Sequence, residues 1–278
     1  MALTDKLTAI ADAIRDKTGG TDALTLDEMP GEIEAIQTGG DTSIEDSLVE
    51  GTLSSYSNTR VTSIATNAFR GRSEILAVSF PNVETIGGSS FQDCSNLSEV
   101  YFPKVTSVGK SVFYNTGIKT IHLPELMQTS SNMFQYSKIE IITDASLPAI
   151  TSLIGDYCFG NCSALRYFQH SLRNYYASRC FQSSSALEKV DIHATGLTYH
   201  CFSGCSALST LILRQTDAIC DWSNTNALTN TPIVKGTGFV YVPRALLEEY
   251  RQATNWSSLL PEQFRAIEDY PEICEVGV

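Results

Sequence analysis

The apolar positions along most of this chain recur with a period in the low twenties. That is too long for one helix face or one strand and too regular for loops. Aligned on phenylalanine, the units centre on Phe69, Phe91, Phe113, Phe134, Phe159, Phe181 and Phe202, at spacings of 22, 22, 21, 25, 22 and 21 residues. Five residues before them stand Ile64, Ile86, Val108, Thr129, Ile154, Tyr176 and Leu197. Six after comes Ile75, Leu97, Leu165, Leu187 or Leu208, and nine after comes Val78, Val100, Phe168, Val190 or Leu211. The units at Phe113 and Phe134 run one residue short, giving Ile118 with Ile121 and Ile139 with Ile142. One unit buries about four large side chains, roughly 8 kcal/mol. Ordering its roughly 22 residues costs at least as much. A single unit therefore cannot stand alone, and the pattern predicts a stack of units, each contributing a short strand.

The two ends carry other patterns. Residues 3–17 place Leu3, Leu7, Ile10 and Ile14 at helical spacing, and Gly19 and Gly20 end that helix. A second short helix is expected at about 31–36, after Pro30, and "QTGGDTS" (37–43) reads as a linker. At the other end "GFVYVP" (238–243) reads as a last strand and "RALLEEYRQAT" as an amphipathic helix with Leu246, Leu247 and Tyr250 on one face. Trp256, Leu259, Leu260 and Phe264 form a second apolar patch suited to covering the open end of the core. The expected organisation is a helical module at 1–40, a repeat array at 41–243 and a cap at 244–278.

"VTSIATNAFRGRSEILAVSFPN" (61–82) and "VETIGGSSFQDCSNLSEVYFPK" (83–104) resemble BspA-type leucine-rich repeats, whose pattern is I-x-x-x-A-F-x-x-C-x-x-L-x-x-V-x-x-P. The resemblance spans residues 49–243 and is most specific in the first three units and the last. The units around Phe134, Phe159 and Phe181 lose the proline or the valine pair. It implies a leucine-rich-repeat solenoid of about 22-residue repeats with short parallel β-strands, a small N-terminal helical segment and a C-terminal strand–helix cap. Residues 231–267 resemble the closing segment of the same proteins. The run "IADAIRDKTGGTDALTLDEMPGEI" (10–33) resembles a short module of tail-associated proteins of phages and prophages of gut Firmicutes. That likeness implies a virion protein, with a host-surface protein or glycan, or another virion protein, as partner. The BspA likeness implies the alternative of a bacterial surface adhesin.

Charge and composition narrow the classes. The formal net charge of −12 and the lack of a basic run argue against nucleic acid. No apolar stretch of about 18 residues exists, so membrane insertion is not expected. The first residues lack a basic stretch followed by an apolar run, so synthesis in a cytoplasm is expected, with the eight cysteines mostly reduced. The spacing of Cys158 with Cys162 and of Cys201 with Cys205, beside His200, invites a zinc reading. The repeat register opposes it. Three after each phenylalanine stand Arg72, Cys94, Thr116, Ser137, Cys162, Ser184 and Cys205, and just before it stand Ala68, Ser90, Val112, Met133, Cys158, Cys180 and Cys201. The first column takes mainly small polar residues at a turn and the second mostly small or apolar ones, and cysteine fits both. Neither metal nor cofactor is expected, and His200 is expected at the surface.

No Ser-His-Asp spacing, H-E-x-x-H, P-loop or G-x-G-x-x-G is present, and Glu248 and Glu249 are adjacent on a helix, hence on different faces. A non-enzymatic binding protein is expected. With columns six, nine and eleven after phenylalanine turned inward, the outward strand positions include Ala77, Ser79, Thr120 and Thr210. They also include the candidate binding residues Glu99, Tyr101, His122, Tyr167, Gln169, Lys189, Asp191 and Ile212. Tyr101 and Tyr167 are the expected anchors. A virion structural component without a host ligand is the other reading. Residues 1–36, too few to bury a core, are expected either to attach or self-associate as a homo-oligomer, or to cap the first repeat.

Overall fold

Each unit of the sequence repeat is one turn of a coil, and the phenylalanine of each turn points to its axis. The computed structural model describes residues 54–151, 155–175, 178–222 and 225–274. The helices expected within 1–40, and the column residues Ile154 and Tyr176, lie outside the described residues. Strands β1 (Ser55–Ser57), β3 (Ala77–Ser79) and β5 (Glu99–Tyr101) form one parallel sheet on successive turns. Strands β2 (Ser63–Ile64), β4 (Thr85–Ile86) and β6 (Ser107–Val108) form a second. Further along, β7 (Ile141–Ile142), β8 (Tyr167–Tyr175), β9 (Lys189–Gly196), β10 (Thr210–Leu213), β11 (Phe239–Val242) and β12 (Phe264–Ala266) form a six-stranded parallel sheet in sequence order. The register pairs equivalent repeat positions: Val78 with Val100, and Phe168 with Val190 and then Leu211. This is the expected leucine-rich-repeat solenoid.

The core is a rod of rings. Neighbouring phenylalanines from Phe69 to Phe202 stack at centroid distances of 5.0, 5.7, 5.6, 5.4, 5.5 and 5.1 Å. All are fully buried. Phe80 and Phe102 run beside them as a second stack, 5.8 Å apart. Each such pair adds about 0.5–1.5 kcal/mol beyond the area it buries.

The turn holding each phenylalanine is hydrogen-bonded to the next repeat. Asn67, Phe69 and Gly71 donate their N–H groups to the carbonyls of Gly88, Ser90 and Gln92, and Arg179, Phe181 and Ser183 do the same to Tyr199, Cys201 and Ser203. The geometry needs left-handed backbone two residues before each phenylalanine (Asn67, Ser89, Ser111, Asn132, Tyr157, Arg179, His200) and two after it (Gly71, Asp93, Asn115, Tyr136, Asn161, Ser183, Gly204). Glycine, asparagine, aspartate and serine account for most of these positions. Tyr136, Tyr157, Arg179 and His200 take the same conformation at a steric cost of order 1 kcal/mol each. Turns also approach closely: a Cβ on Gly109 would lie 2.3 Å from the Gly88 nitrogen.

The cysteine columns belong to this stacking. The Cys94 thiol donates to the Phe69 carbonyl at 2.9 Å, Cys162 to Phe134 at 3.0 Å and Cys205 to Phe181 at 3.0 Å. Ser184 does the same to Phe159 at 2.6 Å. In these four turns the column three after phenylalanine ties the turn to the one before, which explains why it accepts cysteine and serine alike; Thr116 bonds instead to the Phe113 carbonyl of its own turn.

The C-terminal residues finish the rod. Helix α1 (Leu247–Gln252) buries Tyr250. The Tyr250 hydroxyl accepts the Cys220 N–H at 2.7 Å, and the Trp256 indole donates to the Cys220 carbonyl at 2.8 Å. The Gln263 amide donates to the Ile233 and Gly238 carbonyls, and β12 adds an edge strand to β11. Polar partners are thus supplied to the backbone where the repeats stop.

Candidate functional site

The first sheet exposes one face to solvent. Side chains alternate along each strand, so Val78 turns to the core while Ala77 and Ser79 turn out. Ser55, Tyr56, Ser57, Ala77, Val78, Ser79, Glu99, Val100 and Tyr101 line a shallow trough of about 340 Å³. Its floor is made of small and hydroxyl side chains. Tyr101 stands at one wall, 57% exposed. Glu99 is exposed on the same strand, two residues away. Beyond β5, Thr120 and His122 are also exposed, and His122 Nδ1 lies 2.8 Å from the Ala145 carbonyl oxygen. A rigid floor, an accessible phenol ring and a carboxylate can hydrogen-bond and stack on a ligand. They provide no nucleophile–base pair.

Of the candidate residues, Glu99, Tyr101 and His122 share this exposed surface. Ser55 and Ser57 belong to it too and escape a reading that starts at Phe69. The signal for them is present: Tyr56 stands 13 residues before Phe69, as Val78 does before Phe91, and Tyr56 pairs in register with Val78.

The second group of candidates sits on the six-stranded sheet, where the outward face is largely closed. Tyr167, Asp191 and Ile212 occupy outward positions yet are buried, at 5%, 3% and 0% exposure. They are corrected here to structural positions. Longer strands bring larger neighbours onto this face. Arg214 grips Asp191 with Nε–Oδ1 and Nη2–Oδ2 distances of 2.5 and 2.7 Å. Ile212 lies in register between Asp191 and Tyr241. Arg265 stacks over Phe239 at 3.4 Å and donates to the Tyr241 hydroxyl at 3.0 Å. Lys189 is half-buried, with its ammonium 5.1 Å from the centre of the Tyr167 ring.

Gln169 is half-buried and serves the fold. Its amide donates to Asp144 Oδ2 at 2.7 Å. Asp144 Oδ1 accepts the Ser171 N–H at 2.8 Å and the Ser171 hydroxyl at 2.9 Å. These bonds hold the bulge in β8, where the pairing with β9 jumps between His170 and Arg173. Burial pushes the Asp144 carboxyl upward. The bonds from Ser171 and Gln169, with His170 nearby, outweigh it and hold the group below its ordinary value. Asp144, His170 and Ser171 are close together, with His170 Nδ1 3.3 Å from Asp144 Oδ1. They do not form a catalytic relay. The Ser171 hydroxyl bonds the aspartate, and His170 Nε2 faces the Leu147 carbonyl at 3.3 Å in a buried site.

The described cysteines are buried and unbridged. Burial pushes the Cys94 and Cys162 thiols up to about 12, and raises the other described thiols as well. Such thiols are poor ligands and poor nucleophiles. Among the described residues no cluster of histidine, cysteine and carboxylate side chains is arranged to hold a metal. None of their helices is long and apolar enough to cross a membrane.

The family model of the BspA type leucine-rich repeat region matches residues 43–140 and 127–235 in six copies. A leucine-rich repeat protein from Bacteroides ovatus aligns with a TM-score of 0.51 and 22% identity, and it covers 66% of this chain. This chain spans 48% of that protein's length. A leucine-rich cell surface protein from Faecalibacterium prausnitzii aligns with a TM-score of 0.38 at 15% identity, covering 83% of this chain and 84% of the other. The pneumococcal vaccine antigen PcpA aligns with a TM-score of 0.33 at 12% identity, covering 77% of each chain. No curated protein matches the chain.

Proposed function

The chain belongs to the BspA-type leucine-rich repeat family, and from that premise we propose that it is a non-enzymatic binding protein. The outward face of β1, β3 and β5 engages a protein or glycan at a cell surface. The observation that carries this reading is Tyr101, a large ring left 57% exposed at the wall of a trough floored by small hydroxyl side chains. Burying such a ring against a partner gives a rigid anchor at low conformational cost. Glu99 beside it supplies a directed acceptor. His122 extends the same surface by one repeat. The rigid stacked core beneath keeps these groups at fixed spacing, which lowers the ordering cost of binding.

A finer reading makes the chain a phage or prophage tail protein attached through residues 1–36. It is supported by the sequence likeness of residues 10–33 and by the apolar stripe of Leu3, Leu7, Ile10 and Ile14. Both readings are tested by capture from surface extracts of gut Firmicute and epithelial cells, using the full chain, the 41–278 chain and a Glu99→Gln/Tyr101→Ala variant. The strand-face reading predicts that the double variant loses the captured component while the 41–278 chain keeps it. Capture that depends on residues 1–36 and ignores Tyr101 would replace it. The attachment reading predicts that a phage tail fraction retains the full chain and releases the 41–278 chain.

A further inference from the structure

A second cluster stands on the turns beside the phenylalanine stack, away from the strand faces. Three consecutive repeats place Tyr157, Arg179 and His200 at the left-handed position two residues before phenylalanine. Asparagine or serine, which occupy that position in the four preceding repeats, would relieve the backbone. The bulky side chains meet one another instead. Arg179 Cζ lies 5.6 Å from the centre of the Tyr157 ring and 4.7 Å from that of Tyr199. Tyr199 meets the His200 ring edge-on at 4.0 Å. The Tyr157 ring is seated on Gly160, where a Cβ would come within 2.9 Å of Tyr157 Cδ1. His200 Nδ1 is shielded without a hydrogen-bond partner, so ring packing holds that side chain too.

The guanidinium between the two tyrosines keeps its donors unspent. Among the described residues it makes neither an ion pair nor a hydrogen bond, in a chain with 31 acidic and 19 basic residues. A planar cation bracketed by rings is already oriented and presents its N–H fork to an oxyanion, of which a carboxylate is the planar match. Tyr199 is 40% exposed, and Tyr136, on the same run of turns, is 45% exposed. Among the described residues, the large apolar side chains exposed on these turns are the tyrosines Tyr136 and Tyr199, which offer ring faces and not aliphatic surface.

We infer that Tyr157, Arg179 and Tyr199 form a binding site for the carboxylate of an acidic sugar. Arg179 takes the carboxylate and the exposed tyrosine ring packs on the C–H face of the pyranose. The site is separate from the strand face and stands or falls without it.

The test is calorimetric titration of the full chain with tetragalacturonate, a neutral galactose tetramer and tetraglutamate. Arg179→Asn is the informative variant, because Asn67 and Asn132 hold the same backbone position in other repeats, so the turn is retained. Saturable binding of tetragalacturonate is expected, weakened at least tenfold in Arg179→Asn and at least threefold in Tyr199→Ser. Binding unchanged in Tyr101→Ala is expected as well, with a thermal midpoint in Arg179→Asn no lower than the parent's, since asparagine relieves the left-handed backbone there. The inference is overturned if tetragalacturonate does not bind, or if the neutral tetramer or tetraglutamate binds equally well. It is also overturned if Arg179→Asn binds like the parent or if Tyr101→Ala abolishes binding.

Discussion

Phe159→Ala removes an interior rung of the ring stack, and its cost can be worked from the contacts. The ring is fully buried. It stacks on Phe134 at 5.4 Å and on Phe181 at 5.5 Å, and meets Phe168 at 5.5 Å. Loss of the buried apolar side chain is worth about 2–3 kcal/mol. The three ring pairs add about 0.5–1.5 kcal/mol each, with overlap. Collapse cannot fill the hole well. The backbone on both sides is fixed by the bonds from Phe159 to Cys180 and from Phe134 to Cys158, both 2.8 Å. The expected loss is therefore at the upper part of the usual range, about 4 kcal/mol. Urea unfolding followed by circular dichroism should show one transition at lower midpoint with an unchanged slope, because neighbouring turns share the core. Phe159→Leu should recover more than half of the loss. A loss under about 1 kcal/mol, or two separate transitions, would refute the shared ring stack.

Other expectations follow from single groups. Arg214→Met leaves the Asp191 carboxylate buried and unpaired, so it should cost roughly 3 kcal/mol in urea unfolding. An Asp191→Leu/Arg214→Met chain should regain most of that loss, and failure to do so would deny the pair its structural role. Asp144 has a folded pKa below its ordinary value, so its contribution is present above about pH 4 and is lost as pH falls through the folded pKa. Asp144→Asn should therefore flatten the fall of stability below about pH 4, and an unchanged pH profile would contradict this. In a Cys274→Ser chain the remaining thiols should resist a disulfide reagent at pH 8 until urea unfolds the rod; fast reaction of the folded protein would show that they are not held as described.

The phenylalanine register is readable in the sequence because each turn repeats the same burial problem, and the same solution recurs at nearly fixed spacing. The 25-residue step from Phe134 to Phe159 marks where the pattern loosens. Asp144 belongs to that stretch and holds the bulge in β8 one repeat later, and a side chain that holds a bulge leaves no periodic trace. Counting in and out along a strand places Tyr167, Asp191 and Ile212 on the outward face correctly. It cannot show that Arg214 and Tyr241, from neighbouring strands, close that face, because lateral cover depends on side-chain size one repeat away. The left-handed positions are legible as Asn, Asp, Ser and Gly columns. Tyr157, Arg179 and His200 break that chemistry, and the break becomes informative once the backbone is known.

The central claim is that the exposed face of β1, β3 and β5 is a recognition surface. Its most direct measurement is a fluorescence titration of intact gut Firmicute and epithelial cells with labelled full-length protein and with the Glu99→Gln/Tyr101→Ala variant, both checked for the same urea midpoint. Saturable binding by the parent chain to at least one cell type, weakened at least tenfold in the variant, is the predicted result. Equal binding by the two proteins, or none by the parent chain, would contradict it.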